Sequence, residues 1–138
     1  MAAEIHGETF ITEDGKELPL RIWPVQDQPR AVLLALHGFN MYSNYFAEPA
    51  AWWAARGITT YAYDQRGFGG APHRGFWPGT KTLTADLRTA VAAISKRHTG
   101  LPVYVLGVSM GGAVVMATLA EGPIEAIDGA ILAAPAVW

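Results

Sequence analysis

Gly107-Val108-Ser109-Met110-Gly111-Gly112 is the stretch on which the fold turns. It ends a continuous apolar run, Val103 to Val108, and leads into Ala113 to Ala120, a helix-forming segment. A serine flanked two residues away by Gly107 and Gly111, where a strand passes into a helix, is the pattern of a nucleophile elbow. Such a turn is tight enough to lift the serine hydroxyl above the sheet edge. The two glycines remove the Cβ atoms that would collide there, and Gly112 gives the helix further room. The competing reading is a phosphate-binding turn of a dinucleotide fold. That turn needs G-x-G-x-x-G after the first strand of its unit. Here Ser109 fills the second glycine position, and two buried strands precede the motif.

Working outward from the motif, strand-like and helix-like segments alternate. Ala31 to Leu36 and Ile58 to Tyr63 read as buried strands, the second rich in β-branched and aromatic residues. Between them Phe46, Ala50 and Trp53 fall at helical spacing, and Gly57 suits a helix stop. A Gly- and Pro-rich loop is expected from Arg66 to Thr80. Leu83, Leu87, Val91 and Ile94 mark an amphipathic helix, with Asp86 expected in its first turn and Lys96-Arg97-His98 in its last. Gly122-Pro123 stops the helix after the motif, and Ala130 to Ala134 is a further strand ended by Pro135. At the start of the chain, Asp14-Gly15 between Glu8–Thr12 and Leu18–Pro24 signals a hairpin. The order predicts an α/β fold: a mostly parallel sheet, an antiparallel N-terminal hairpin, and helices on both faces.

Composition narrows the function. The 138 residues are 51% hydrophobic and 16% charged, which excludes a disordered chain. A net charge of -2 argues against a nucleic-acid partner, which calls for a basic face. Without cysteine there is no disulfide framework, Cys-ligated zinc site or thiol nucleophile. Met1 to His6 lacks the basic and apolar regions of a signal peptide, and apolar stretches such as Gly129 to Trp138 are too short to span a bilayer. A cytoplasmic location is the resulting expectation.

Two further loops sharpen the reading. His37-Gly38-Phe39 follows the first buried strand, where an acyl-transfer site draws a backbone N–H for the developing oxyanion. Gly38 lets that loop pass close to the elbow. The second N–H comes from the residue after the nucleophile, here Met110. Asp64-Gln65-Arg66-Gly67-Phe68-Gly69 follows the next strand, and Asp64 and Arg66 are read as ties between loops.

Together His37-Gly38, Asp64-x-Arg66-Gly67-x-Gly69 and Gly107-x-Ser109-Met110-Gly111-Gly112, each after a strand and in this order, resemble the α/β-hydrolase fold. Within it they are similar to the monoacylglycerol lipase and lysophospholipase-like branch. The resemblance implies Ser109 as catalytic nucleophile, Phe39 and Met110 as oxyanion hole, and Gly38, Gly107 and Gly111 as the glycines that make room. It implies hydrolysis of a small-molecule carboxylic ester, such as an acylglycerol or lysophospholipid, through an acyl-enzyme, with no cofactor and no metal. Trp52, Trp53, Phe68, Phe76, Trp77 and Met110 are candidates for an apolar acyl pocket, with core or interface packing as the rival reading for Trp52 and Trp53.

The rest of the catalytic set does not fit. In this fold the acid and then the histidine follow the serine. All four histidines, His6, His37, His73 and His98, precede Ser109, and only His73 has the loop freedom to approach it. Glu121, Glu125 and Asp128 follow Ser109 but are expected on the opposite face. The expectation is therefore that residues 1–138 are the N-terminal portion of a single domain about twice as long. A cap and further strands would follow Trp138, and the strand at Ala130 to Ala134 would be an open edge seeking that C-terminal half or a second copy. Other chemistry on the same fold, such as a haloperoxidase or C–C hydrolase, and a non-catalytic binding module remain as alternatives.

Overall fold

A computed structural model describes residues 2–137; the cap and further strands expected after Trp138 lie outside them. Seven strands form one sheet: β1 (Glu4–His6), β2 (Thr9–Ile11), β3 (Glu17–Trp23), β4 (Ala31–Leu36), β5 (Ile58–Tyr63), β6 (Val103–Val108) and β7 (Gly129–Ala133). Their order across the sheet is β1-β2-β3-β5-β4-β6-β7. The first three pair antiparallel, and β3 joins β5 antiparallel. From β5 through β4 and β6 to β7 every pairing is parallel.

The faces follow from chain direction. The crossover from β4 to β5 runs toward β3, whereas those from β5 to β6 and from β6 to β7 run the other way. Right-handed crossovers then put α1 (Ala47–Ala54) on one face and α2 (Thr80–Arg97) and α3 (Met110–Glu121) on the other. The cores obey the period-2 alternation of a strand. Leu34, Leu36, Val103 and Val105 pack with Leu87, Val91, Ile94 and Val115 of α2 and α3. Leu33, Ala35, Ala62 and Leu106 pack with Phe46, Ala50 and Trp53 on the α1 side.

The hairpin expected around Asp14-Gly15 forms between β2 and β3, and one strand precedes it: β1 turns at Gly7 and pairs with β2, Ile5 opposite Phe10. Three expectations need correction. Asp86 is not in the first turn of α2, because the helix starts at Thr80 directly after Gly79 at φ 91°. Asp86 instead points inward, and Arg66 Nε and Nη2 donate to it at 2.8 Å. Burial raises its carboxyl above the ordinary value in spite of that partner. Finally, His98 lies just past the last turn of α2, and α3 begins at Met110, three residues earlier than its apolar pattern suggests.

β7 forms one margin of the described sheet, paired only with β6. Ile131 and Leu132 are 50% and 41% exposed there. No helix of the described residues is long and apolar enough to cross a membrane.

Candidate active site

Parallel strands bring the loops after β4, β5 and β6 to one edge of the sheet, the carboxyl edge where such folds place ligands. Ser109 sits there between β6 and α3, with φ 52° and ψ −115°. A non-glycine residue in this region stores roughly 1–3 kcal/mol of strain and persists only when its surroundings fix it. Here they do. The Ser109 N–H donates to the Ala133 carbonyl at 3.0 Å, and its own carbonyl accepts from Ala136 at 2.9 Å and Ala113 at 3.1 Å. Its hydroxyl makes no capping bond to α3, and the residue is half-buried.

The neighbouring glycines are required by backbone contact. A Cβ on Gly107 would lie 2.5 Å from the Gly111 carbonyl oxygen. One on Gly111 would collide with the carbonyl oxygen of Leu36 and come within 2.7 Å of that of His37. Backbone oxygens cannot swing aside. Gly111→Ala is therefore expected to destabilise the fold by roughly 3 kcal/mol, the scale of a severe overpacking. A urea midpoint unchanged from wild type would contradict this. A Cβ on Gly38 would stand 3.2 Å from the Cβ of Ser109, so the loop after β4 passes directly beside the serine.

Two backbone N–H groups belong to this corner. Met110 is the first residue of α3, so its N–H has no intrahelical acceptor. Phe39 follows Gly38; the residue is 60% exposed, and its ring meets Phe68 edge-on, with centroids 5.4 Å apart. Phe68 also meets the ring of His37.

The loop after β5 is braced at both ends. The Asp64 carboxylate is buried and accepts from the Ser43 N–H at 2.8 Å and the Gly70 N–H at 2.9 Å. Arg66 links Asp86 to Asp14 in the hairpin turn, donating Nη1 to the latter at 2.8 Å. That bond holds the Asp14 carboxyl far below the usual carboxylate range and raises the guanidinium in return. Both residues thus bridge loops. Beyond the brace, Phe39, Tyr42, Phe68, Phe76 and Trp77 line an open groove of about 390 Å³, with Arg74 as its charged residue. Of the residues considered for an acyl pocket, Phe68, Phe76 and Trp77 are here. Trp52 instead carries the Arg56 guanidinium 3.4 Å above its ring, Trp53 joins the α1-side core, and Met110 is buried outside the groove lining.

Each histidine is occupied elsewhere or remote in its bonding. His6 contacts Glu4 at 2.6 Å, and His98 Nε2 lies 2.6 Å from the Tyr61 hydroxyl. His73 is exposed at φ 58° and lines an adjoining hollow with Lys16 and Pro72, on the other side of Phe76 and Trp77, which line both. His37 is fully buried between the Gly38 carbonyl and the Gln65 N–H. The acids after Ser109 are also apart: Asp128 accepts from Val103 at the start of β6, the opposite end of the strand from Ser109, and Glu121 accepts from Thr84. The pairing of His37 with Gln65, 28 residues on, leaves no trace in the spacing of either motif.

Burial lowers the His37 pKa below the ordinary histidine value; the Gly38 carbonyl and the Asp64 charge oppose it without reversing it. The unfolded chain therefore binds more protons than the native one below the unperturbed value of about 6.5. Stability is expected to be full above that pH and to fall as the pH drops toward the native-state pKa. His98, also lowered by burial, adds a contribution of the same sign. Urea midpoints at pH 7.5 and 5.5 test this: His37→Asn should flatten the difference, and an unchanged slope would contradict it.

Residues 27–138 match the family model described as serine aminopeptidase, S33. The chain belongs to this family. It is 32% identical over 130 residues to the monoacylglycerol lipase of Mycolicibacterium smegmatis, an alignment covering 94% of this chain and 46% of that one. The α/β hydrolase GrgF from a Penicillium species superposes with a TM-score of 0.78 at 28% identity, over 92% of this chain and 44% of that one. A soluble variant of monoglyceride lipase from Saccharomyces cerevisiae, solved with a substrate analogue, gives 0.76 at 26% identity, over 98% and 46%. The S33 chain thus has the α/β-hydrolase fold, and it spans less than half the length of the curated relatives it matches.

Proposed function

We propose that this chain carries the nucleophile and the oxyanion hole of a serine hydrolase acting on carboxylic esters, with acylglycerols or lysophospholipid-like lipids as substrate class. The observation behind it is the strained, pinned backbone at Ser109, whose hydroxyl is free while Gly38 stands against its Cβ. In the reaction the Ser109 Oγ attacks the ester carbonyl carbon and gives up its proton to a general base. The carbonyl oxygen takes the negative charge and is met by the N–H groups of Phe39 and Met110. Collapse expels the alcohol, which takes a proton, and leaves an acyl-Ser109 ester. Water attacks that ester, releases the acid and restores the hydroxyl. The aromatic groove at Phe39, Phe68, Phe76 and Trp77 is of a size and character to hold an apolar substrate chain.

The base and its orienting acid are supplied by a C-terminal segment of the same protein docked at the β7 margin. Exposed Ile131 and Leu132 support that reading. So does the apolar hollow of about 350 Å³ between Trp53, Tyr104 and Ile131. Self-association through the same margin is the fallback for the chain alone. The cytoplasmic setting expected from the sequence accompanies the proposal.

A fluorophosphonate probe on the complete enzyme tests it, with peptide mapping of the adduct. Labelling at Ser109 together with turnover of p-nitrophenyl esters is the expected result. Turnover of aminoacyl p-nitroanilides in place of esters would move the substrate class to amides. An unlabelled Ser109 would leave a binding module on a hydrolase fold.

A further inference from the structure

Building on Ser109 as nucleophile, we infer that His37 is a positioning residue for the oxyanion hole: its imidazole fixes the plane of the Gly38–Phe39 peptide and so aims the Phe39 N–H. Both ring nitrogens are engaged in a fully buried setting. Nε2 lies 2.9 Å from the backbone nitrogen of Gln65. A backbone N–H only donates, so Nε2 is the acceptor and the ring proton sits on Nδ1. That proton is donated to the Gly38 carbonyl at 2.8 Å. The same carbonyl accepts from the Met41 N–H at 3.2 Å. Gln65 holds the ring's own backbone as well, its Nε2 donating to the His37 carbonyl at 2.8 Å.

The consequence lies in peptide geometry. The Gly38 carbonyl and the Phe39 N–H are the two ends of one planar peptide unit, and no peptide in the described chain is cis. They point in opposite directions. Two donors that hold the oxygen toward His37 therefore hold the N–H away from it, without touching Phe39. Gly38 is also the residue that flanks Ser109. The demand on the side chain is specific: one rigid ring must offer a donor and an acceptor at opposite corners. Lysine and arginine lack the acceptor, and a carboxylate lacks the donor. The charged group facing the ring is Asp64, which favours a second ring proton; burial outweighs it and keeps Nε2 free to accept.

The experiment compares His37→Asn, His37→Gln and His37→Leu in the complete enzyme. Asparagine places an amide N–H where Nδ1 stands and keeps the bond to Gly38. Glutamine reaches the Nε2 position and leaves Gly38 unheld, and leucine replaces neither. Expected is a kcat lowered roughly 10²-fold in the Gln and Leu variants, the scale of one lost oxyanion donor. KM should stay within about twofold, with Asn recovering about tenfold or more in kcat, because the lost interaction exists only in the transition state. The rate of Ser109 phosphonylation should follow kcat. In the wild-type protein, long-range nitrogen–proton correlation should show the Nδ1–H tautomer, and the Phe39 amide signal should shift in the Gln variant but not in the Asn variant. An Nε2–H tautomer, or an Asn variant no better than Leu, would overturn the inference. A wild-type Ser109 that resists the probe would instead defeat the nucleophile reading. The tautomer and the Phe39 amide would still decide whether His37 sets the peptide plane.

Discussion

Ser109→Ala in the complete enzyme is expected to lower kcat on short p-nitrophenyl esters by roughly 10⁶-fold, the usual cost of a lost nucleophile in a working triad. Its fold should survive. Alanine keeps the Cβ that the turn already accommodates, and the deleted hydroxyl makes no capping bond to α3. The strained φ of 52° is borne by the backbone in either case, because the bonds to Ala133, Ala136 and Ala113 are all main-chain. Activity and stability should therefore separate cleanly. The measurement is steady-state turnover beside a urea unfolding curve. A variant that keeps a tenth or more of wild-type activity rules out Ser109 as nucleophile. One that loses activity together with its unfolding transition would say that the hydroxyl, against the geometry, holds the turn.

Of the three parallel strands at the centre, two were legible because burial on both faces leaves a continuous apolar run. Ala31–Leu36 and Val103–Val108 begin and end where that run does, and Ile58–Tyr63, interrupted by Thr59 and Thr60, was marked by its β-branched and aromatic residues instead. The turn at Ser109 was legible for another reason. Contacts from Gly107 and Gly111 to backbone oxygens admit no side chain, so geometry writes itself into residue type. β1 was not legible: three residues with one half-buried side chain give no alternation to count. Asp86 misled because a carboxylate near a helix start has a ready explanation in the helix dipole, while its actual partner, Arg66, is 20 residues away. The His37–Gln65 clamp was hidden for the same reason. Hydrogen bonds between loops depend on which strands lie side by side, and β4 and β5 become neighbours only once the sheet is built. Within the acyl-pocket set, helical spacing correctly set Trp53 apart as packing, and the loop position of Phe76 and Trp77 correctly placed them at a groove.

The 138-residue chain purified alone is expected to be nearly inert on esters and to self-associate. No described histidine is bonded to Ser109, and the side chain of each has a place of its own: His6 on Glu4, His37 in the clamp, His98 on Tyr61, His73 in an exposed loop. Without a base, Ser109 keeps its proton near neutral pH and is a poor nucleophile. An oxyanion hole by itself leaves a residual rate roughly 10³-fold above water, and a complete triad exceeds that by about 10⁶. Association follows from the β7 margin, where Ile131 and Leu132 stand exposed beside unpaired strand groups, and from the apolar hollow at Trp53, Tyr104 and Ile131. Light scattering on the purified chain should report a species heavier than 14.8 kDa. Adding a C-terminal fragment that carries an acid and a histidine should lower that mass toward one complex and raise turnover together, since one docking event closes the edge and delivers the base. A monodisperse monomer with full esterase turnover would break the link between the two. It would leave His73, the one histidine whose ring makes no hydrogen bond among the described residues, as the group to mutate next.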